Sequence, residues 1–359
     1  MKKTTIELVN GDKAVLIEDQ KVKILKSENY NFLFDKTNGY FARWGKTQED
    51  DGDPMLGLPE IADIEISTAC KQGCAFCYKG NTSDGENMSL ETLKIVLSKL
   101  PVTITQVAYG ISDIDANPEM WDIFDYTRSL QIVPNVTING SRMTPELYDR
   151  LAKTMGAVAV SVGTAYNKDN SYNSIKELTD RGMKQVNIHN MICLENFDYT
   201  LQVMKDTKED PRLKNLNALV LLSLKPKGRA ENRFHQLPQD KFNELCKYAI
   251  DNYIRIGFDS CSSHKFFSYL DSDKSLSDEY KEKMKQSVEP CESGCYSSYI
   301  DTNASYFPCS FTPGADDWAE GLSVLEANDF MKDIWQNEKT VAFRTKLVGC
   351  GRNCPLYTI

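Results

Sequence analysis

Three closely spaced cysteines are the residues of this sequence best suited to binding a metal. Cys70, Cys74 and Cys77 have three and then two residues between them, and Gly73 lets the loop between them curl. Three thiolates on one loop can hold three irons of a four-iron cluster and leave the fourth iron open to a substrate. A structural zinc loop is the alternative, but zinc would need a fourth ligand nearby, and none follows.

The elements around this loop predict an α/β fold. The loop follows a predicted strand at residues 61–67, and more strands are predicted at 103–109, 134–138, 157–162, 185–192, 216–224 and 255–259. Helices are predicted between them, beginning after Ser89 and Thr144 and covering 173–181 and 242–253. This alternation predicts a parallel sheet, either a barrel or doubly wound, with its chemistry at the carboxyl ends of the strands.

The two ends of the chain have different patterns. Residues 1–49 predict a β-meander, with turns at Asn10-Gly11 and Asn38-Gly39, and the polar residues 49–54 predict a boundary. After residue 265 the alternation stops, and the polar, loop-rich remainder holds five of the 11 cysteines. We therefore expect a β-meander at 1–55, the α/β core at 56–265 and a cysteine-rich extension at 266–359.

The composition narrows the class of protein. The chain has a net charge of −9, which disfavours nucleic acid as a partner. It has no signal-peptide pattern and no apolar run long enough to span a membrane, so we expect a cytoplasmic protein with reduced cysteines and no membrane partner. With only three histidines, a His-rich metal site is disfavoured.

The cysteine loop resembles the hallmark of the radical S-adenosylmethionine (SAM) superfamily. Cys70, Cys74, Phe76 and Cys77 match its spacing, its aromatic residue and its place after the first strand. The resemblance implies a partial (β/α)6 TIM-like barrel whose [4Fe–4S] cluster binds SAM through the open iron. It further implies reductive cleavage of SAM to a 5′-deoxyadenosyl radical that removes hydrogen from a substrate, with an electron donor such as flavodoxin or ferredoxin.

The same resemblance implies residues that contact SAM. Residues 109–119 are similar to the glycine-rich stretch after the second strand, although most of its glycines are missing, and a simple capped loop is the alternative. The implied SAM-binding residues are Phe76, Tyr78, Gly110, Asp113, Asn139 and Ser161. Lys225 and Arg229 follow a strand and could meet a carboxylate of SAM or substrate; a solvated loop explains them equally well.

The tail cysteines resemble the SPASM or twitch extension of radical SAM enzymes. The resemblance implies one auxiliary [4Fe–4S] cluster, with zinc as the alternative, and its predicted ligands are Cys291, Cys309, Cys350 and Cys354, with Cys295 as a rival. Ala304 replaces the glycine of the hairpin within this pattern. Cys193, Cys246 and Cys261 are interpreted as small buried hydrophobic residues, an interpretation that is weakest for Cys261 at a strand end.

Three functions remain open at this point. The first is a radical SAM enzyme that modifies a peptide or protein. The second is a radical SAM dehydrogenase acting on a small molecule such as an aminosugar. The third is a non-catalytic zinc or iron–sulfur binding protein.

Overall fold

The computed structural model describes residues 1–47, 52–315 and 317–358. Residues 49–51 of the predicted boundary lie outside these described residues. The chain begins with one antiparallel sheet in sequential order, made of β1 (Lys2–Glu7), β2 (Lys13–Glu18), β3 (Val22–Lys26), β4 (Asn31–Asp35) and β5 (Phe41–Trp44). Gly11 and Gly39 take positive φ in its turns, as the Asn-Gly pairs predict.

The main sheet begins with parallel strands that alternate with helices. These strands are β6 (Ile61–Glu65), β7 (Gln106–Gly110), β8 (Val133–Ile138), β9 (Val158–Ser161), β10 (Val186–Ile192), β11 (Ala218–Ser223) and β12 (Ile256–Phe258). Each pairs in parallel with the next. The prediction of an α/β fold with a parallel sheet and an N-terminal antiparallel sheet is confirmed.

The helices between the strands begin at caps visible in the sequence. They are α1 (Leu90–Lys99), α2 (Met120–Ser129), α3 (Pro145–Thr154), α4 (Lys168–Asp180), α5 (Phe197–Glu209) and α6 (Gln239–Asp251). The Ser89 hydroxyl accepts a hydrogen bond from the Thr92 amide at 3.1 Å, which satisfies one free N–H of the first turn. Helix α4 begins five residues before its prediction, because Asn167 caps it instead.

The tail contains more regular structure than its composition suggests. Its elements are α7 (Ser263–Ser272), α8 (Asp278–Gln286), β13 (Ser297–Ile300), β14 (Ser305–Phe307), β15 (Leu322–Ser323), a π-helical segment (Phe330–Trp335) and α9 (Glu338–Gly349). Strand β13 pairs in parallel with β6, and the β13–β14 hairpin continues the main sheet. Ala304 takes φ +59° in that hairpin, the conformation that a glycine would adopt without strain.

One buried arginine ties the three regions together. Arg43 on β5 lies 2.7 Å from Glu60, 3.1 Å from Glu289 and 2.8 Å from Glu292. Its guanidinium also lies 3.4 Å from the ring centroid of Tyr296. The N-terminal sheet, the start of β6 and the segment before β13 therefore meet at one cation.

Helices that could cross a membrane are absent from the described part of the chain.

Candidate functional site

A cavity of about 650 Å³ lies at the carboxyl ends of the parallel strands. Side chains and backbone from β6 to β11 line it, and residues of the tail close its other side. Cys70, Cys74 and Cys77 all line this cavity, so the structure brings the predicted cysteine triad to the mouth of the parallel sheet.

The loop after β11 holds the cysteine loop in place. The Arg229 guanidinium donates to the carbonyls of Cys74 and Asn81, both at 2.9 Å, and the Arg229 amide donates to the Cys77 carbonyl at 3.0 Å. Gly228 lies against the same segment: a Cβ there would come within 2.3 Å of the Tyr78 carbonyl oxygen. Arg229 is not among the residues that line the cavity, and its position suits support of the cysteine loop rather than a carboxylate in the cavity.

Asp113 also hydrogen-bonds to the backbone of the cysteine loop. Its carboxylate accepts the Lys71 amide at 2.9 Å and the Asn139 side-chain amide at 2.8 Å, and Arg142 lies 3.3 Å away. Asp113 is buried and outside the cavity lining, whereas Gly110 and Asn139 line it. In this arrangement the Asp113 carboxylate is hydrogen-bonded within the protein, and its contact with SAM stays a prediction.

Aromatic residues surround the triad. Phe76 packs edge-on against Tyr166 and Phe234, with ring centroids 6.0 Å and 6.4 Å away. Tyr78 lies 4.4 Å from the tail residue Phe311, centroid to centroid. Phe76, Tyr78 and Ser161, which the resemblance implies as SAM-binding residues, all line the cavity.

Cys70 and Cys74 favour their protonated forms in this environment. Burial raises the pKa of Cys70 and of Cys74, although a hydrogen bond from the Tyr166 hydroxyl opposes the shift at Cys74. Metal binding would therefore release protons, and the affinity of the site for metal should increase with pH.

The cavity has a charged wall that motif reasoning did not identify. Tyr299 on β13 donates to the Glu65 carboxylate at 2.7 Å, and Lys79 lies 3.2 Å from the same carboxylate. Asp63, two residues before Glu65 on β6, also lines the cavity, and burial raises its pKa to about 6. The alternation of polar residues along β6 is the signal that could have identified this wall.

Two further groups in the cavity come from β10 and from the loop after β11. Burial lowers the pKa of His189 to about 4, so its imidazole is neutral at physiological pH, and it lies 3.3 Å from the Thr137 hydroxyl. The Lys225 ammonium is 2.7 Å from Asp259 and 4.9 Å from the Phe311 ring centroid. Lys225 lines the cavity and pairs there with Asp259, and its contact with a carboxylate of SAM or substrate stays a prediction.

The tail cysteines divide into two groups. Cys291, Cys309 and Cys354 line the cavity, whereas Cys350 and Cys295 do not. Cys350 is exposed, and its thiol donates to backbone carbonyls of Leu347 and Asn353.

The cavity is lined by cysteine thiols, the side chains that bind iron–sulfur clusters. Within residues 1–47, 52–315 and 317–358, no three His, Cys, Asp or Glu side chains converge closely enough to hold a single metal ion. A four-iron cluster is larger than one ion and takes one thiolate at each iron, so its ligands stand further apart. The triad offers three thiols to the cavity, and Cys291, Cys309 and Cys354 offer three more, so the lining contains the residue type that such clusters bind.

Comparisons with known proteins agree with this architecture. Residues 64–207 match the radical SAM superfamily. The mycofactocin maturase MftC of Mycobacterium tuberculosis is 29% identical over 102 residues, which cover 28% of this chain and 26% of that protein. The chain thus matches about a quarter of the length of this curated relative.

Solved structures share the fold over most of the chain. SuiB from Streptococcus suis, bound to the precursor peptide SuiA, has a TM-score of 0.66 at 12% identity, covering 91% of this chain and 90% of that one. The structure of anSMEcpe with bound AdoMet and a peptide has a TM-score of 0.54 at 15% identity, covering 79% of this chain and 82% of that one.

The fold defines the class: an α/β protein with the TIM-like barrel of these structures. Within that class, residues 64–207 match the radical SAM superfamily, as the cysteine loop predicts. That superfamily implies a [4Fe–4S] cluster and SAM as cofactors.

Proposed function

We propose that this chain is a radical SAM enzyme that modifies a peptide. The observation that carries the proposal is the position of Cys70, Cys74 and Cys77: they follow β6 inside the matched domain and open onto a cavity of about 650 Å³. When bound, a [4Fe–4S] cluster with SAM supplies the radical that removes hydrogen from a substrate.

The surrounding residues would bind and orient these cofactors. Cys70, Cys74 and Cys77 would hold the cluster, and Arg229 and Asp113 keep their loop in shape through its backbone. Asn139, Ser161, Gly110 and the aromatic rings of Phe76 and Tyr78 present polar and flat surfaces beside the triad, which suit the amino acid and adenine parts of SAM. The apolar rings also exclude water from the region where a radical would form.

A peptide substrate is supported by two features. The cavity extends from the triad to the tail cysteines, so a ligand longer than SAM can contact both groups. Its wall mixes the carboxylates of Asp63 and Glu65 with the ammonium groups of Lys79 and Lys225, which can bind backbone and side-chain polar groups. The compared SuiB structure contains a precursor peptide, and MftC is a maturase.

The first experiment tests the cofactor. Anaerobically reconstituted protein is expected to bind iron and sulfide and, with dithionite or reduced flavodoxin, to convert SAM to 5′-deoxyadenosine. Cys77→Ala should abolish this product, because the cluster loses one of its three ligands. Cys246→Ala removes a buried thiol of α6 outside the cavity and should retain the product. Formation of 5′-deoxyadenosine by Cys77→Ala would refute the assignment, and zinc without iron would favour a binding protein.

The second experiment tests the substrate class. The enzyme is co-expressed with short peptides encoded beside its gene, and their masses are compared with and without Cys77→Ala. A change of mass that depends on Cys77 supports peptide modification. Turnover of an aminosugar with no change in any such peptide would support the small-molecule alternative.

A further inference from the structure

Four thiols lie on the side of the cavity formed by the tail. Cys261, Cys291, Cys309 and Cys354 all line it. They come from four separate places: the turn between β12 and α7, the segment before β13, the end of the β13–β14 hairpin, and the loop after α9. Convergence of four distant cysteines on one surface is unexpected for residues that only fill a core.

The contacts among them show that they are neighbours. The Ser293 hydroxyl lies 3.3 Å from the Cys291 sulfur and also hydrogen-bonds with Cys309. Cys261 lies within electrostatic range of Cys291 and Cys354, and Cys309 lies within electrostatic range of Cys354.

Hydrogen bonds hold the contributing segments together. The Cys291 amide donates to the Arg352 carbonyl at 3.2 Å, and the Arg352 side chain donates to the Cys291 carbonyl at 2.9 Å. The His264 imidazole of α7 lies 3.0 Å from the Gly351 carbonyl oxygen. The turn that carries Cys261 and the loop that carries Cys354 are therefore attached to each other without any metal.

The two other tail cysteines are held elsewhere. Cys350 is exposed, with its sulfur 3.2 Å from the Leu347 carbonyl and 3.1 Å from the Asn353 carbonyl. Cys295 is fully buried and does not line the cavity. Neither thiol is directed into the space that the other four share.

We propose that Cys261, Cys291, Cys309 and Cys354 are the ligands of the auxiliary cluster, so that Cys261 of the barrel takes the place predicted for Cys350. Four thiolates leave no iron of a [4Fe–4S] cluster open, which makes this cluster suited to electron transfer and unable to bind substrate directly. The Lys225 ammonium, which interacts electrostatically with Cys261, would partly offset the negative charge of the ligands. The inference rests on the proposed function for the identity of the metal group.

The test measures metal content independently of catalysis. In a Cys70→Ala/Cys74→Ala/Cys77→Ala background, anaerobic reconstitution should give about four irons and four sulfides per chain. Adding Cys261→Ser should lower the iron content to three or fewer and change the Mössbauer spectrum from a [4Fe–4S] pattern. The matched variant Cys350→Ser, also a single thiol of the tail, should keep four irons.

Alkylation tests the same ligand set without substitutions. The unsubstituted chain is labelled with iodoacetamide in its cluster-free and cluster-containing states, and the labelled cysteines are identified by mass spectrometry. Cys261 should be labelled less in the cluster-containing protein than in the cluster-free protein. Cys350 should be labelled equally in both states. This measurement decides the question even if Cys261→Ser fails to fold.

The outcomes separate this inference from the proposed function. Loss of iron in Cys350→Ser or Cys295→Ser, with iron retained in Cys261→Ser, would overturn the ligand set. Absence of iron from the triad-free background would also overturn the ligand set. If the unsubstituted chain still cleaved SAM, the proposed function would stand. Four irons in that background and no SAM cleavage by the unsubstituted chain would refute only the proposed function.

Discussion

Replacing Arg43 by methionine should destabilise the protein strongly. The Arg43 and Glu60 side chains are 4% and 3% exposed, so methionine would leave the Glu60 carboxylate buried without its cation. Removing one partner of a buried ion pair costs about 3–5 kcal/mol, because the remaining charge stays desolvated. We expect a loss of this size, with added loss from the Tyr296 ring that the guanidinium covers.

The assay is guanidinium chloride unfolding followed by tryptophan fluorescence at pH 7.5. Lys176→Met is the matched control: it breaks an exposed pair with Asp180 and should change the free energy of unfolding by less than about 0.5 kcal/mol. Adding Glu60→Gln to Arg43→Met removes the unpaired charge and should recover a large part of the loss. A loss below about 1 kcal/mol in Arg43→Met would show that this cation does not hold the three regions together.

Two further predictions concern a carboxyl group in the cavity and a glycine that packs against the cysteine loop. Asp63→Asn should stabilise the cluster-free protein by up to about 3 kcal/mol at pH 8, since a shift of one pKa unit equals about 1.4 kcal/mol and burial raises this pKa to about 6. The gain should vanish as the pH falls through 6 towards 4, because the native carboxyl then binds its proton; an equal gain at pH 5 and pH 8 in thermal melts would refute the reasoning. Gly228→Ala should lower the melting temperature more than Gly182→Ala. Both glycines have positive φ, but only at Gly228 would the added Cβ come within 2.3 Å of the Tyr78 carbonyl oxygen. Equal effects would rule out the contact as the cause.

Parallel strands such as β9 and β11 were predictable from sequence because they are nearly continuous apolar runs. Residues 157–162 predict a buried strand, and β9 forms at Val158–Ser161 within them. The first turns of α4 were not predictable in the same way, since its buried face there includes Ser171 and Ser174 beside Tyr172. Hydrophobic periodicity does not detect small polar residues that satisfy their hydrogen bonds inside the protein.

The candidate site was predictable where its cysteines lie close together in the sequence. Cys70, Cys74 and Cys77 share one loop, so their spacing alone indicated a common site. Cys261 could not be linked to the tail cysteines by spacing, because only the folded chain brings the turn after β12 beside the last loop. The support roles of Arg229 and Asp113 depend on backbone groups of the cysteine loop, which sequence patterns do not reveal.

The pairing of β13 with β6 has a consequence for how this protein can be dissected. Ser297–Ile300 align with Ile61–Ile64, so the tail covers the hydrogen-bonding edge of the strand that leads to the triad. A chain cut before β13 would expose that edge as a row of unpaired N–H and C=O groups, a template on which other chains can add strands. The barrel without its tail should therefore aggregate, and the contributions of the two cysteine groups can be separated by point substitution in the full chain rather than by truncation.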